Sequence, residues 1–208
     1  MKLKIIENFL NQNDLEELSS LKLNHTEKNC LNVYHNEINK KDEIKNDCIK
    51  KDTIKRLHKN YHLKALEILK ELNPLKINLY DYSEFHIIET GLDYKFPIHD
   101  DTPNKLLSGV VYLKPKYNNG TIFYNNKKGD GKKEIEWKIN RAVFFARKEK
   151  ITWHSYEGDG KNDRVALVFN LMTYKIQKVF KIEKTNSFLG KIRFKTNPYL
   201  MKYFKTNI

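Results

Sequence analysis

Residues 96–101 read FPIHDD, one histidine followed by two consecutive aspartates. Side chains alternate between faces along an extended strand, so His99 and Asp101 are expected to point one way and Asp100 the other. Such a pair offers an imidazole nitrogen and a carboxylate oxygen to a single cation. The rival for that pair is a surface ion pair on an edge strand. A third ligand has to come from a later strand. His154, in ITWHSY after the apolar run RAVFFAR, is the candidate. The rival for that residue is a core histidine beside Trp153.

Two histidines and one carboxylate leave three coordination positions open, the facial triad of non-haem Fe(II) oxygenases. Ten residues past His154 comes Arg164, which opens RVALVFNLM. Its guanidinium is a fixed fork of donors suited to a carboxylate. Asp159 and Asp163 are close enough in sequence to be its partners instead. The other histidines carry less. His58 and His62 are four apart on a helix, a spacing that can hold a metal. Lys59 follows His58 where a zincin needs Glu, so an exposed helix face is expected. His86 either lines a pocket mouth or packs in a sheet, and His25 and His35 sit in polar chain.

The elements that must position these residues fall into two halves. Asn11 or Asn13 can cap a helix bearing Leu15, Leu18 and Leu21. Residues 24–47 are polar and irregular. A second helix is expected from Cys48 to Leu72, ended by Asn73-Pro74 because the residue before proline is pushed out of helical geometry. From Ile77 short β-branched and aromatic runs predict strands at 77–89, 95–101, 106–114, 120–125, 133–139, 141–147, 151–157 and 164–175. That pattern means a mainly β protein with N-terminal helices, an α+β chain whose strands form a sandwich or a double-sheet jelly roll. Residues 1–76 then support a core at 77–175, and 176–208 form a basic, aromatic extension of a single domain. GDGK occurs at 129–132 and again at 158–161. Neither copy has P-loop spacing, and both are expected to be turns.

Composition narrows the partners. The net charge is +13, yet only five of the 39 basic residues are arginine. Phosphate and base recognition favours arginine's bidentate fork, so a solvated lysine surface is the expectation and a nucleic-acid partner is not favoured. Glu7 and Asn8 interrupt the opening apolar stretch, so no secretory leader is expected. No apolar run reaches the length of a membrane span. Cys30 and Cys48 suggest neither a disulfide framework nor a thiolate metal site, and the cytoplasm is the expected compartment.

The chain resembles a known family at HDD (99–101), YL (112–113), NNGTIFY (118–124), NRAVFF (140–145), WH (153–154) and Arg164. In this order and spacing they resemble the 2-oxoglutarate- and Fe(II)-dependent dioxygenases, most closely their prolyl-hydroxylase-like branch. The opening IIENFLNQNDLEEL is similar to the strand and helix that precede that core.

The resemblance implies a double-stranded β-helix (jelly roll) and an oxidoreductase that uses O2. Succinate and CO2 would be released as a protein side chain or small molecule is hydroxylated. It implies His99, Asp101 and His154 as the Fe(II) ligands, and Arg164 as the partner of the distal carboxylate of 2-oxoglutarate. Tyr112 would donate a hydrogen bond to that carboxylate, or serve only to pack the core. Asp100 is left outward-facing or supporting. Where the family often has Gly-Gly, this chain has Asn119-Gly120, which is expected to turn because Asn tolerates positive φ. Two alternatives stand beside this reading. One is a nucleic-acid dealkylating oxygenase, a branch that carries arginine where this chain has Asn170. The other is a β-helix module that binds metal or ligand without turnover.

Overall fold

The computed structural model describes residues 1–23 and 27–204. The chain begins with β1 (Lys4–Ile6), α1 (Gln12–Ser19), β2 (Leu31–Tyr34), β3 (Asn36–Asn39), β4 (Ile44–Asp47) and α2 (Lys51–Leu72). A 3-10 helix at Pro74–Leu79 leads into β5 (Tyr82–Thr90), β6 (Lys95–His99), β7 (Lys105–Lys114) and β8 (Thr121–Phe123). Then come β9 (Lys133–Ile135), β10 (Ala142–Ala146), β11 (His154–Glu157), β12 (Arg164–Met172), α3 (Ile176–Glu183) and α4 (Ser187–Phe204).

Each N-terminal helix starts and stops for a local reason. Asn11 caps α1, its Oδ1 accepting from the Asp14 amide at 2.8 Å. In α2, Ile54, Leu57, Tyr61, Ala65, Ile68 and Leu69 recur at three- and four-residue spacing and are all buried. Asn73 ends α2 in front of Pro74, as expected. Past that point the expected strand from Ile77 is corrected. Pro74 opens a 3-10 turn, and the strand starts only at Tyr82.

The remaining strands pair antiparallel in two sheets. Among β5–β12 the first pairs with the eighth, the eighth with the third and the third with the sixth. The second, seventh, fourth and fifth form the other sheet, in that order. Alternation assigns the faces. In β10, Ala142, Phe144 and Ala146 pack into the main core with the helices, while Val143 and Phe145 join Tyr112, Phe123, Ile135 and Trp137 in a second cluster. In β12, Val165, Leu167, Phe169 and Leu171 belong to the helix-side core, so Arg164 opens the opposite face.

Two segments depart from the sequence reading. The polar stretch 24–47 contributes β2 and β3, which add to the larger sheet by pairing with β5, and β4 beyond them. Buried Asn36 organises it, with Nδ2 donating to the Tyr34 and Phe85 carbonyls and Oδ1 accepting from the Cys48 and Ile49 amides. His25 lies outside the described residues. Between Ile176 and Phe204 the chain forms α3 and α4, and α3 buries Val179 and Phe180. No described helix is long and apolar enough to cross a membrane.

Candidate metal centre

His99 ends β6 and His154 begins β11, and the two residues are paired directly across the sheet. Their rings therefore lie side by side, with centroids 4.2 Å apart. Asp101 follows two residues after His99, just beyond the strand end. The ligand atoms of His99, Asp101 and His154 all lie within 4.8 Å of one another. Sequence spacing is thus turned into one cluster by a single strand register.

Each imidazole is oriented by its own chain. His99 Nδ1 donates to the Pro97 carbonyl at 3.0 Å, and His154 Nδ1 donates to the Thr152 carbonyl at 2.9 Å. A carbonyl can only accept, so the ring proton sits on Nδ1 and the Nε2 lone pair is free. Burial keeps both rings uncharged, pushing His99 down to about 3 and His154 below its ordinary value. Phe96 and Phe145 flank them, at 4.5 Å from His99 and 4.8 Å from His154.

Asp101 is held from two sides. Lys105 Nζ donates to Oδ1 at 2.7 Å and Ser108 Oγ donates to Oδ2 at 2.5 Å. Burial alone would raise this carboxyl, but the Lys105 ammonium outweighs it and leaves it well below the carboxylate range. Arg147 Nε donates to the Asp101 carbonyl at 2.9 Å, fixing the backbone as well. Asp100 turns elsewhere, its Oδ2 accepting from the Lys150 amide at 2.8 Å.

Arg164 is 3% exposed and its Nε is buried without a hydrogen-bond partner. Neither Asp159 nor Asp163 pairs with it. Asp159 instead accepts from the amides of Lys161 and Asn162. Aromatic faces surround the guanidinium, with Tyr156 at 4.3 Å, Trp137 at 5.1 Å and Tyr112 at 5.8 Å. Burial pulls Arg164 below its ordinary value, although Tyr156 and Tyr112 oppose this. The Tyr112 hydroxyl is committed to Thr121, donating to Oγ1 at 3.0 Å and accepting from the amide at 2.9 Å.

Solved structures with the same fold are known. A prolyl-4-hydroxylase from Pseudomonas putida matches with a TM-score of 0.54 and 14% identity, over 82% of this chain and 92% of that one. An oxidoreductase of the 2OG-Fe(II) oxygenase family from Burkholderia pseudomallei matches at 0.58 and 11%, over 82% and 85%. A Trichoplax adhaerens prolyl hydroxylase, solved with a peptide fragment of a hypoxia-inducible factor, matches at 0.51 and 15%, over 84% and 85%. The chain has the prolyl-hydroxylase fold. No family model matches it, and no curated protein does.

Within this prolyl-hydroxylase fold several neighbours of the site escaped the sequence reading. Tyr156 has a signal in retrospect, since it stands two residues after His154 on the same short strand. Lys105 and Ser108 have none, because their role depends on how the chain turns after Asp101. Other expectations are corrected. His58 is 4% exposed, not on an exposed helix face, and its Nε2 lies 3.2 Å from the Tyr80 hydroxyl. His62 stacks on it at 4.2 Å, and although Asp42 Oδ1 lies 3.1 Å from His58 Nδ1, these side chains form no metal-competent cluster among the described residues. His86 packs in the sheet against Glu84 and His35. Asn119 does not adopt positive φ. The need is at Gly120, where a Cβ would sit 1.6 Å from the Ile135 carbonyl oxygen. Both GDGK copies are turns, with positive φ at Gly129, Gly131 and Gly160.

Proposed function

We propose that this chain is a non-haem Fe(II)- and 2-oxoglutarate-dependent dioxygenase that hydroxylates a protein side chain or a small molecule. The observation that carries the reading is the convergence of His99, Asp101 and His154 ligand atoms within 4.8 Å, both imidazoles presenting free Nε2 atoms. The order of β5–β12 supports reading the two sheets as a double-stranded β-helix. Residues 1–76 and the C-terminal helices buttress this catalytic core.

In this reading His99, Asp101 and His154 hold Fe(II). The donor set fits, since two neutral imidazoles and one carboxylate suit that ion and leave positions for cosubstrate and O2. Bound there, Fe(II) would supply the activation of O2, one oxygen atom going to succinate and the other to the product as CO2 leaves. The chain's own groups do the positioning. Lys105 and Ser108 hold Asp101 so that its remaining lone pairs face the histidines. Arg164 binds the distal carboxylate of 2-oxoglutarate through its buried, partnerless Nε side. With its hydroxyl turned to Thr121, Tyr112 acts as part of the aromatic wall around that arginine.

The peptide-bound Trichoplax hydroxylase supports a protein side chain as one class of substrate. Asn170, where a dealkylase would carry arginine, donates instead to Glu84 at 3.0 Å and favours no nucleic-acid role. Succinate release from 2-oxoglutarate, strictly dependent on Fe(II) and abolished in His154→Ala, tests the proposal. Fe(II)-independent turnover or none at all counts against it.

A further inference from the structure

A cavity of about 750 Å3 opens beside the triad, within the range that holds small-molecule ligands. His99 and Asp101 line it, and Phe96, Trp153 and Phe194 supply apolar wall. The lining as a whole is unevenly charged, with six cations against four carboxylates.

The carboxylates are already engaged from within the chain. Asp101 is taken by Lys105 and Ser108, and Asp100 by the Lys150 amide. Asp130 accepts from Asn126 Nδ2 at 2.8 Å, and Glu149 pairs with Arg193 of α4 through Oε1, its Oε2 being buried without a partner. Two cations differ. Lys128, in the loop after β8, and Lys150, in the turn after β10, have no carboxylate partner among the described residues. Lys150 also holds a φ of +58°, a left-handed backbone that strains a lysine. In this conformation its amide donates to Asp100 at 2.8 Å, and the residue lines the cavity.

We propose that this cavity binds a small anionic ligand, its charge held between Lys128 and Lys150 and its apolar body against Phe96, Trp153 and Phe194. Calling that ligand the substrate rests on the oxygenase reading, whereas its binding does not. An incoming anion meets two ammonium groups that no internal carboxylate neutralises. A cationic ligand meets carboxylates that are already hydrogen-bonded.

The test is calorimetric titration of the full chain, stripped of metal with EDTA so that a carboxylate cannot simply ligate the ion. The probes are 3-phenylpropanoate, its neutral amide and 3-phenylpropylamine, equal in apolar body and different in charge. The carboxylate is expected to bind about tenfold more tightly than the amide at low salt, and the amine most weakly. The double variant Lys128→Ala/Lys150→Gly should bring the carboxylate and amide within about twofold of each other. Glycine accepts the left-handed backbone, so this variant should melt no earlier than the parent. Equal binding of acid and amide, tighter binding of the amine, no binding of any probe, or an anion preference that survives the double variant overturns the proposal. Retention of Fe(II)-dependent succinate release in any of these cases leaves the oxygenase reading intact.

Discussion

The guanidinium of Arg164 lies 4.3 Å from the ring centre of Tyr156 and forms no ion pair with a carboxylate among the described residues. A buried cation without an anion is costly unless a ligand supplies one. Arg164→Ala is therefore expected to weaken 2-oxoglutarate binding by about 3 kcal/mol, roughly a hundredfold, with Fe(II) affinity little changed. Tyr156→Leu removes only a cation–π contact and should cost about 1 kcal/mol. The dependence of succinate release on 2-oxoglutarate concentration measures both.

The C-terminal helices are tied to the triad through buried charge. Glu183 of α3 pairs with Lys76 and Arg147, each at 2.5 Å, and Arg147 in turn holds the Asp101 carbonyl. Glu183→Ala strands two buried cations. The expected loss is about 3–5 kcal/mol of stability, read as a lower urea midpoint, together with weaker Fe(II) retention. An unchanged midpoint would mean the pairs contribute nothing net.

Acid should release α1 through Asp14. This buried carboxylate accepts from Tyr61 at 2.6 Å and from Arg56 Nε at 2.7 Å. Burial opposes its ionisation, but Tyr61, Arg56 and Asn60 win and hold it below the usual carboxylate range. A group with a depressed folded pKa stabilises the fold above its unfolded value and loses that contribution as pH falls through the folded one. The contribution should thus be whole above about pH 5 and fade below about pH 4. Asp14→Asn should lose about 2 kcal/mol at pH 7 and show a flatter acid limb in denaturant melts.

What was legible in the sequence follows from physical period. Alternation in RAVFFAR and RVALVFNLM located β10 and β12 to within a few residues, whereas the expected strand 95–101 stops at His99, so it is the turn beyond β6 that separates Asp101 from Asp100. The N-terminal strands were hidden because Ile38 is the one fully buried apolar residue of β2 and β3, too little to make a stripe, and Asn36 with main-chain pairing holds the rest. α4 was hidden for a related reason. Gly190 sits inside it where a Cβ would lie 2.5 Å from the Phe180 ring, so packing against α3 requires a poor helix former. His58 misled because a polar residue on a helix became buried by contact with Tyr80, a partner 22 positions away.

The surplus of lysine should give only weak, sequence-blind binding to DNA or RNA. That binding should fade steeply between about 50 and 200 mM salt, as counterion release requires. Methylated oligonucleotides should not stimulate succinate release. A demethylated product at physiological salt would promote the dealkylase alternative.

The most direct test of the metal assignment is an anaerobic titration of Fe(II) into the chain with 2-oxoglutarate, followed by visible absorption. A weak metal-to-ligand band from the chelated keto acid is expected at one equivalent of iron. Asp101→Ala should abolish the band and Asp100→Ala should retain it, because Asp101 shares the cluster with both imidazoles while Asp100 accepts from the Lys150 amide. Loss of the band in Asp100→Ala with its survival in Asp101→Ala, or no band in the parent chain, would contradict the assignment.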